Sequence, residues 1–203
     1  MDPRQPIAIN SYFCEPARCV VAMAASVGGL NGLSVILGAL PVDFPAAIAI
    51  VMHLSPDHKS LLADKQAQPG DMLCNSCVFV VPPNHHLTAT KDGVLELSTS
   101  SAEKIHHARP SAEPLFASVA EFYQKHAIAV VLTGGDGDGS IGVQIIKEKG
   151  GMVIAQDRPT ALDFSMPETA IKTRDVDFIL PLDRIPHKLL QLVEAGGALI
   201  ANR

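Results

Sequence analysis

The sequence predicts an α/β domain: a doubly wound, mainly parallel sheet with helices on both faces and one small antiparallel hairpin. Three observations predict it. Short continuous apolar runs recur along the chain, as strands buried on both faces require. Each run ends in a turn of Gly, Ser, Asp or Pro. Most of those turns lead into a segment of helical period, and strands alternating with helices build a parallel sheet with right-handed crossovers.

Taken in order, residues 19–25 form the first apolar run. Ser26 to Gly29 is its turn, and Leu30, Leu33, Ile36, Leu37 and Leu40 then recur at helical spacing. Residues 46–52 read as the second strand, His53 to Asp57 as a loop and 58–66 as a helix. Residues 78–81 are a strand stopped by Pro82-Pro83. Around Lys91-Asp92-Gly93, Leu87 and Ala89 face Val94, Leu95 and Leu97, and Asp-Gly is a hairpin signal. Residues 98–108 are a polar loop, and 113–125 an amphipathic helix with Leu115, Phe116, Val119 and Phe122 on one face. Strand 127–132, helix 141–149, strand 152–155, helix 166–171, strand 176–180 and helix 185–194 complete the series, with Gly196-Gly197 breaking the last helix. One domain is expected over 18–194, with 1–17 a lead-in and 195–203 a tail.

Composition bounds the function. The chain has 203 residues, 47% hydrophobic and 18% charged, which suits one sizeable core and excludes global disorder. A net charge of −5, no Lys/Arg run and no Trp disfavour a nucleic-acid partner. The 24 uncharged residues from Cys19 to Val42 reach membrane-span length, but their Gly, Asn, Ser and Pro content reads as strand, turn and helix, so no membrane insertion is expected. The N-terminus carries no secretory signal, and four Cys are too few for a disulfide scaffold; a cytoplasmic location follows as the expectation.

In such sheets the active groups collect in loops at the carboxyl ends of strands. Ser26 stands on the first, within Ala24-Ala25-Ser26-Val27-Gly28-Gly29. It reads either as a helix N-cap or as an exposed nucleophile beside free backbone N–H groups of Val27, Gly28 and Gly29, which suit an oxyanion. His53 follows the second strand and reads either as a packed histidine or as a base for Ser26. The third loop, Thr133 to Ser140, holds Asp136 and Asp138, one of which would orient His53; calcium or phosphate binding fits it less well, since neither the EF-hand nor a nucleotide fingerprint is present. Cys74-Asn75-Ser76-Cys77 reads as incidental cysteines, half of a zinc site with Cys14 and Cys19, or a redox pair. The tandem pairs His85-His86 and His106-His107 are poor chelators of one metal, and no metal is assigned. Arg109 suits either an acidic ligand or a surface ion pair.

These residues, from about Val20 to Leu190, resemble the catalytic domain of the chemotaxis receptor methylesterases, the CheB family. The resemblance is carried by Ala25-Ser26-Val27-Gly28-Gly29, His53 with Pro56, and Val80-Val81-Pro82-Pro83 with His86. It continues through Arg109-Pro110-Ser111, Leu132-Thr133-Gly134 to Asp138-Gly139, Ala155-Gln156, and Met166-Pro167 with Ala170-Ile171. It implies Ser26 as nucleophile, His53 as base and Asp138 as orienting acid, because Asp136 falls where the family has Gly or another small residue. It implies hydrolysis of glutamate γ-methyl esters on the cytoplasmic part of chemoreceptors, with glutamine deamidation as companion activity and no cofactor. Arg109, Gly135 and Met166 are the substrate-side candidates.

Three departures qualify what it implies. Only about 17 residues precede the first strand, too few for the receiver domain usual in the family, while residues 145–151 and 176–180 look like versions fused to a methyltransferase module. Residues 64–77 are markedly shorter than usual, which predicts a missing edge strand and an exposed neighbouring edge. Gly135 replaces a bulkier Met or Thr, and Ala24 a usual Gly. Two other classes of function therefore stand beside the methylesterase: a catalytically weak interaction or regulatory domain of a larger signalling protein, and a serine esterase for small substrates.

Overall fold

A computed structural model describes residues 16–53, 66–105 and 108–198. Six parallel strands form one sheet in the order β3-β2-β1-β6-β7-β8: β1 (Val20–Ala25), β2 (Ala47–Met52), β3 (Val78–Val80), β6 (Ala127–Val131), β7 (Met152–Gln156) and β8 (Phe178–Leu180). Strands β4 (Leu87–Ala89) and β5 (Leu95–Leu97) pair antiparallel in a separate hairpin. The connecting helices are α1 (Gly29–Ala39), α2 (Ala112–Tyr123), α3 (Ser140–Glu148), α4 (Ser165–Lys172) and α5 (Ile185–Ala198). The fold class and its hairpin are those the sequence predicts.

Side-chain alternation divides the core into two layers. One sheet face presents Val21, Met23, Ile48, Ile50, Ile128 and Val130 and packs against Leu33 and Ile36 of α1 and Ile185, Leu189 and Val193 of α5. The other presents Ala22, Ala24, Ala47, Ala49 and Ala129, and the room these alanines leave is filled by Leu115, Phe116 and Val119 of α2, Val143 and Ile146 of α3, and Leu87 and Leu95 of the hairpin. Phe116 is fully buried, and burial of one such ring contributes about 1.5–3 kcal/mol.

Two expectations change. Helix α5 runs through Gly196-Gly197 to Ala198 instead of breaking there. A helical Gly costs about 1 kcal/mol against Ala, too little to stop a helix that is packed along one face. Strand β3 is outermost, yet its outer side is not bare: Gln66 bridges Val80 in parallel, and the Ala67 N–H donates to the Val80 carbonyl at 2.9 Å. The helix predicted over 58–66 falls almost wholly outside the described residues. Among them, no helix is long and apolar enough to cross a membrane.

Strand order reverses between β1 and β6, so the connections from these strands leave in opposite directions and open a crevice at their carboxyl ends.

Candidate active site

The crevice brings together the three loops that the sequence singled out. The Ser26 N–H donates to the Thr133 carbonyl at 2.9 Å, and the His53 N–H donates to the Ala25 carbonyl at 3.0 Å. Ser26, His53 and the Thr133–Asp138 loop therefore leave three adjacent strands at one level, with neighbouring strands only about 4.8 Å apart.

Ser26 is not the N-cap of α1; Gly28 is, at φ 78°, without any side-chain cap. Gly28 is required twice over, since its left-handed backbone suits no other residue well and a Cβ would stand 2.8 Å from Leu162 Cβ. The Gly29 N–H folds back to the Ser26 carbonyl, whereas the Val27 and Gly28 N–H groups donate to nothing among the described residues. Two backbone donors thus stand free beside a half-buried hydroxyl at a helix start.

His53 lies between two carboxylates. Its Nε2 is 2.9 Å from Asp138 Oδ2 in a hydrogen bond, and its Nδ1 is 3.3 Å from Asp136 Oδ2, an ion-pair distance without good hydrogen-bond alignment. Burial lowers the His53 pKa, but hydrogen bonding and Coulomb attraction to Asp136 and Asp138 outweigh it and raise the value from 6.5 to about 9. At neutral pH the ring is an imidazolium. The Ser26 hydroxyl makes no hydrogen bond to it, nor to any other described residue.

This has a consequence for stability. A pKa higher in the folded state than in the unfolded one stabilises fully below pH 6.5, and the contribution disappears as pH rises through about 9. Denaturation at pH 6 and pH 10 is expected to show that loss, on the order of 3 kcal/mol, and a smaller one in Asp136→Asn.

Asp138 is buried and held from three sides. Its Oδ1 accepts from the Ser111 hydroxyl at 2.5 Å, and its Oδ2 accepts from the Ala112 N–H at 2.5 Å as well as from His53. Ser111 is the N-cap of α2. It is fixed in turn by His86, whose Nδ1 accepts the Ser111 N–H at 3.2 Å while Nε2 donates to the Glu103 carbonyl at 2.8 Å. Glu113 braces the same loop from behind: its carboxylate accepts the N–H groups of Gly139, Ile141 and Gly142 at the start of α3. Ser111 as a positioning group, Glu113 and His86 were not assigned from sequence. The available signal was Ser111 two residues before a Glu at a helix start, which reads locally as a cap.

Thr133 ties the nucleophile turn to the far side of the crevice. Its hydroxyl reaches the Val27 carbonyl at 2.8 Å and accepts the Asp163 N–H at 2.9 Å, while its own N–H donates to Gln156 Oε1 at 2.9 Å. Beneath it, Gly134 is squeezed between Ser26 and Met166: a Cβ there would lie 2.8 Å from Ser26 Cβ and 2.1 Å from Met166 Sδ. Gly134→Ala is expected to destabilise by about 1–3 kcal/mol and to displace Ser26, as a melting curve and an esterase assay together would report.

The remaining candidates divide. Met166 is fully buried, behind Gly134 and Ser26 rather than at the open side. Gly135 is exposed, and a Cβ there would come within 3.1 Å of Asp163 Oδ2. Arg109 sends its Nη1 to the Ala102 carbonyl, bracing the polar loop ahead of Ser111. Cys74 is disulfide-bonded and Cys77 is a free thiol, so the C-x-x-C is not a closed redox pair. Cys19 is buried, its pKa pushed up to about 12 by desolvation, and its thiol donates to the His126 carbonyl at 3.0 Å; Cys14, its partner in the zinc reading, lies outside the described residues. No group of three or more potential ligands gathers among the described residues.

Comparison with known proteins converges on one family. The profile of the CheB methylesterase family matches residues 21–189. A protein-glutamate methylesterase/protein-glutamine glutaminase of Pyrococcus horikoshii is 36% identical over 198 residues, covering 91% of this chain and 54% of the relative. A putative protein of the same description from Leptospira interrogans is 34% identical over 182 residues, covering 85% of this chain and 93% of the relative. The crystal structure of the Thermotoga maritima CheB methylesterase catalytic domain superposes with a TM-score of 0.81 at 33% identity, covering 86% of this chain and 98% of that one. The chain spans about half the length of the first curated relatives it matches, 54% for the Pyrococcus horikoshii protein.

Proposed function

The chain belongs to the CheB methylesterase family, and from that premise we propose that it hydrolyses glutamate γ-methyl esters of chemoreceptors to glutamate and methanol through Ser26, His53 and Asp138. The observation that carries the reading is the His53–Asp138 pair standing at the strand-order reversal, one rung from Ser26 and its two unused N–H donors.

The chemistry follows from the groups present. The Ser26 hydroxyl attacks the ester carbonyl, and His53 takes its proton. Since Asp138 holds Nε2, the receiving nitrogen is Nδ1. Asp138 stabilises the imidazolium so formed, and the N–H groups of Val27 and Gly28 hold the oxyanion. His53 returns the proton to the departing methoxide, methanol leaves, and water brought in by the same base frees Ser26. With a glutamine side chain the same sequence releases ammonia. Neither a metal nor a cofactor enters these steps. The substrate partner is the cytoplasmic part of a methyl-accepting receptor, placing the domain in the cytoplasm, and fused or associated methyltransferase or regulatory modules would supply control.

Methanol release from methylated receptor, measured for the parent and for Ser26→Ala, tests the reading. Loss in the variant supports it, and equal rates refute it. Ser111→Ala is expected to lower kcat about tenfold, since Asp138 loses one charge-assisted hydrogen bond while Ala112 and His53 still hold it. A second reading, a catalytically weak regulatory domain, draws on the clamping of His53 by two carboxylates and on a Ser26 hydroxyl that bonds to no described residue. The same assay separates the two.

A further inference from the structure

An imidazole has two nitrogens, and in this site both face carboxylates. Asp138 Oδ2 takes Nε2 at 2.9 Å, and Asp136 Oδ2 stands 3.3 Å from Nδ1. The triad reading needs Nδ1 for the Ser26 proton. We propose that Asp136 is a positioning residue that competes with Ser26 for Nδ1 of His53 and holds the site in a resting state whose release limits turnover at neutral pH. The proposal rests on the triad reading above.

The two carboxylates differ in kind. Asp138 is completely buried and fixed by Ser111 and Ala112, so it is a permanent partner of His53. The Asp136 side chain is 37% exposed and stands between Gly135 and Gly137. Its Oδ1 accepts the Asp138 N–H at 3.2 Å, which aims Oδ2 at the ring. Of the two, the carboxylate that reaches solvent and is flanked by glycines is the one that can withdraw.

The charges around His53 agree with this division. From the β6–α3 loop come Asp136 and Asp138. The nucleophile turn contributes only the uncharged Ser26. From the start of α2 come Ser111 and Glu113, the latter occupied by the N–H groups of α3, and His86 reaches the site only through Ser111. From the segment ahead of α4 comes Asp163, whose carboxylate repels that of Asp136. Among the described residues the charged groups acting on the ring are the two anions, and they hold it protonated. A protonated Nδ1 cannot accept from Ser26, and deprotonating it does not by itself remove Asp136 from its face.

The experiment follows the His53 ring by NMR titration and, in parallel, kcat/KM against pH for p-nitrophenyl acetate, in the parent, Asp136→Ala, Asp136→Asn and Ser26→Ala. Asn keeps an oxygen for the Asp138 N–H, so it removes charge while preserving the loop. Both Asp136 variants are expected to lower the His53 pKa by about 1–3 units. The acidic limb of the rate profile should move with it, raising kcat/KM at pH 7 about tenfold for each unit moved until the pKa reaches about 7, where the gain levels off. A His53 titration unchanged in both variants, or one that moves while the rate limb stays, overturns the proposal. Turnover that survives in Ser26→Ala overturns the triad reading instead, and the ring titration still reports separately whether Asp136 clamps His53.

Discussion

Ser26→Ala is expected to lower kcat for methyl-ester hydrolysis by on the order of 10⁶-fold while leaving the melting temperature nearly unchanged. The fold does not depend on the hydroxyl: Ser26 is held by its backbone, through its N–H to Thr133 and its carbonyl from Gly29, and caps nothing. The chemistry depends on it wholly, because among the described residues no other hydroxyl stands beside both His53 and the N–H groups of Val27 and Gly28. What remains in the variant is oxyanion stabilisation and substrate positioning. A calorimetric melt and a methanol assay on the same preparation check both halves.

Asp138→Asn is expected to lower kcat by on the order of 10³–10⁴-fold, with KM little changed. The substitution is structurally mild. The Asn oxygen can keep the Ala112 N–H and His53 Nε2, and its NH₂ can donate to the Ser111 hydroxyl, which turns to accept. What is lost is the negative charge that stabilises the imidazolium as it forms. Asp136→Asn is expected to act in the opposite direction at neutral pH, and comparable losses from both substitutions would mean that the two carboxylates share one role. Steady-state kinetics of the two variants side by side decide the matter.

How far these groups could be read from the chain depends on the range of the forces that place them. The central sheet strands were legible because burial on both faces demands unbroken apolar runs such as residues 127–131, the partly exposed edge strand β8 was legible from its short apolar run alone, and the hairpin was legible from Asp92-Gly93. Ser26, His53 and the Asp136–Asp138 loop could be named because each directly follows such a run. The bracing was not legible. Ser111 meets Asp138 across 27 positions and Glu113 meets Gly142 across 29, contacts made by α2 packing beside α3 and leaving no local period. Asp136 could be set apart from Asp138 by family pattern, but only the loop's path shows it turned toward the second ring nitrogen. The continuity of α5 through Gly196-Gly197 escaped because a helical glycine costs only about 1 kcal/mol, less than the packing of Ile185, Leu189 and Val193 against the sheet supplies.

Catalysis stands or falls on Ser26 as an activated nucleophile, and mass spectrometry after treatment with a fluorophosphonate reads that directly. A single covalent adduct is predicted on the peptide carrying Ser26, absent in Ser26→Ala and formed far more slowly in His53→Ala. Ser26 left unmodified, or labelled as fast without His53 as with it, would contradict the account.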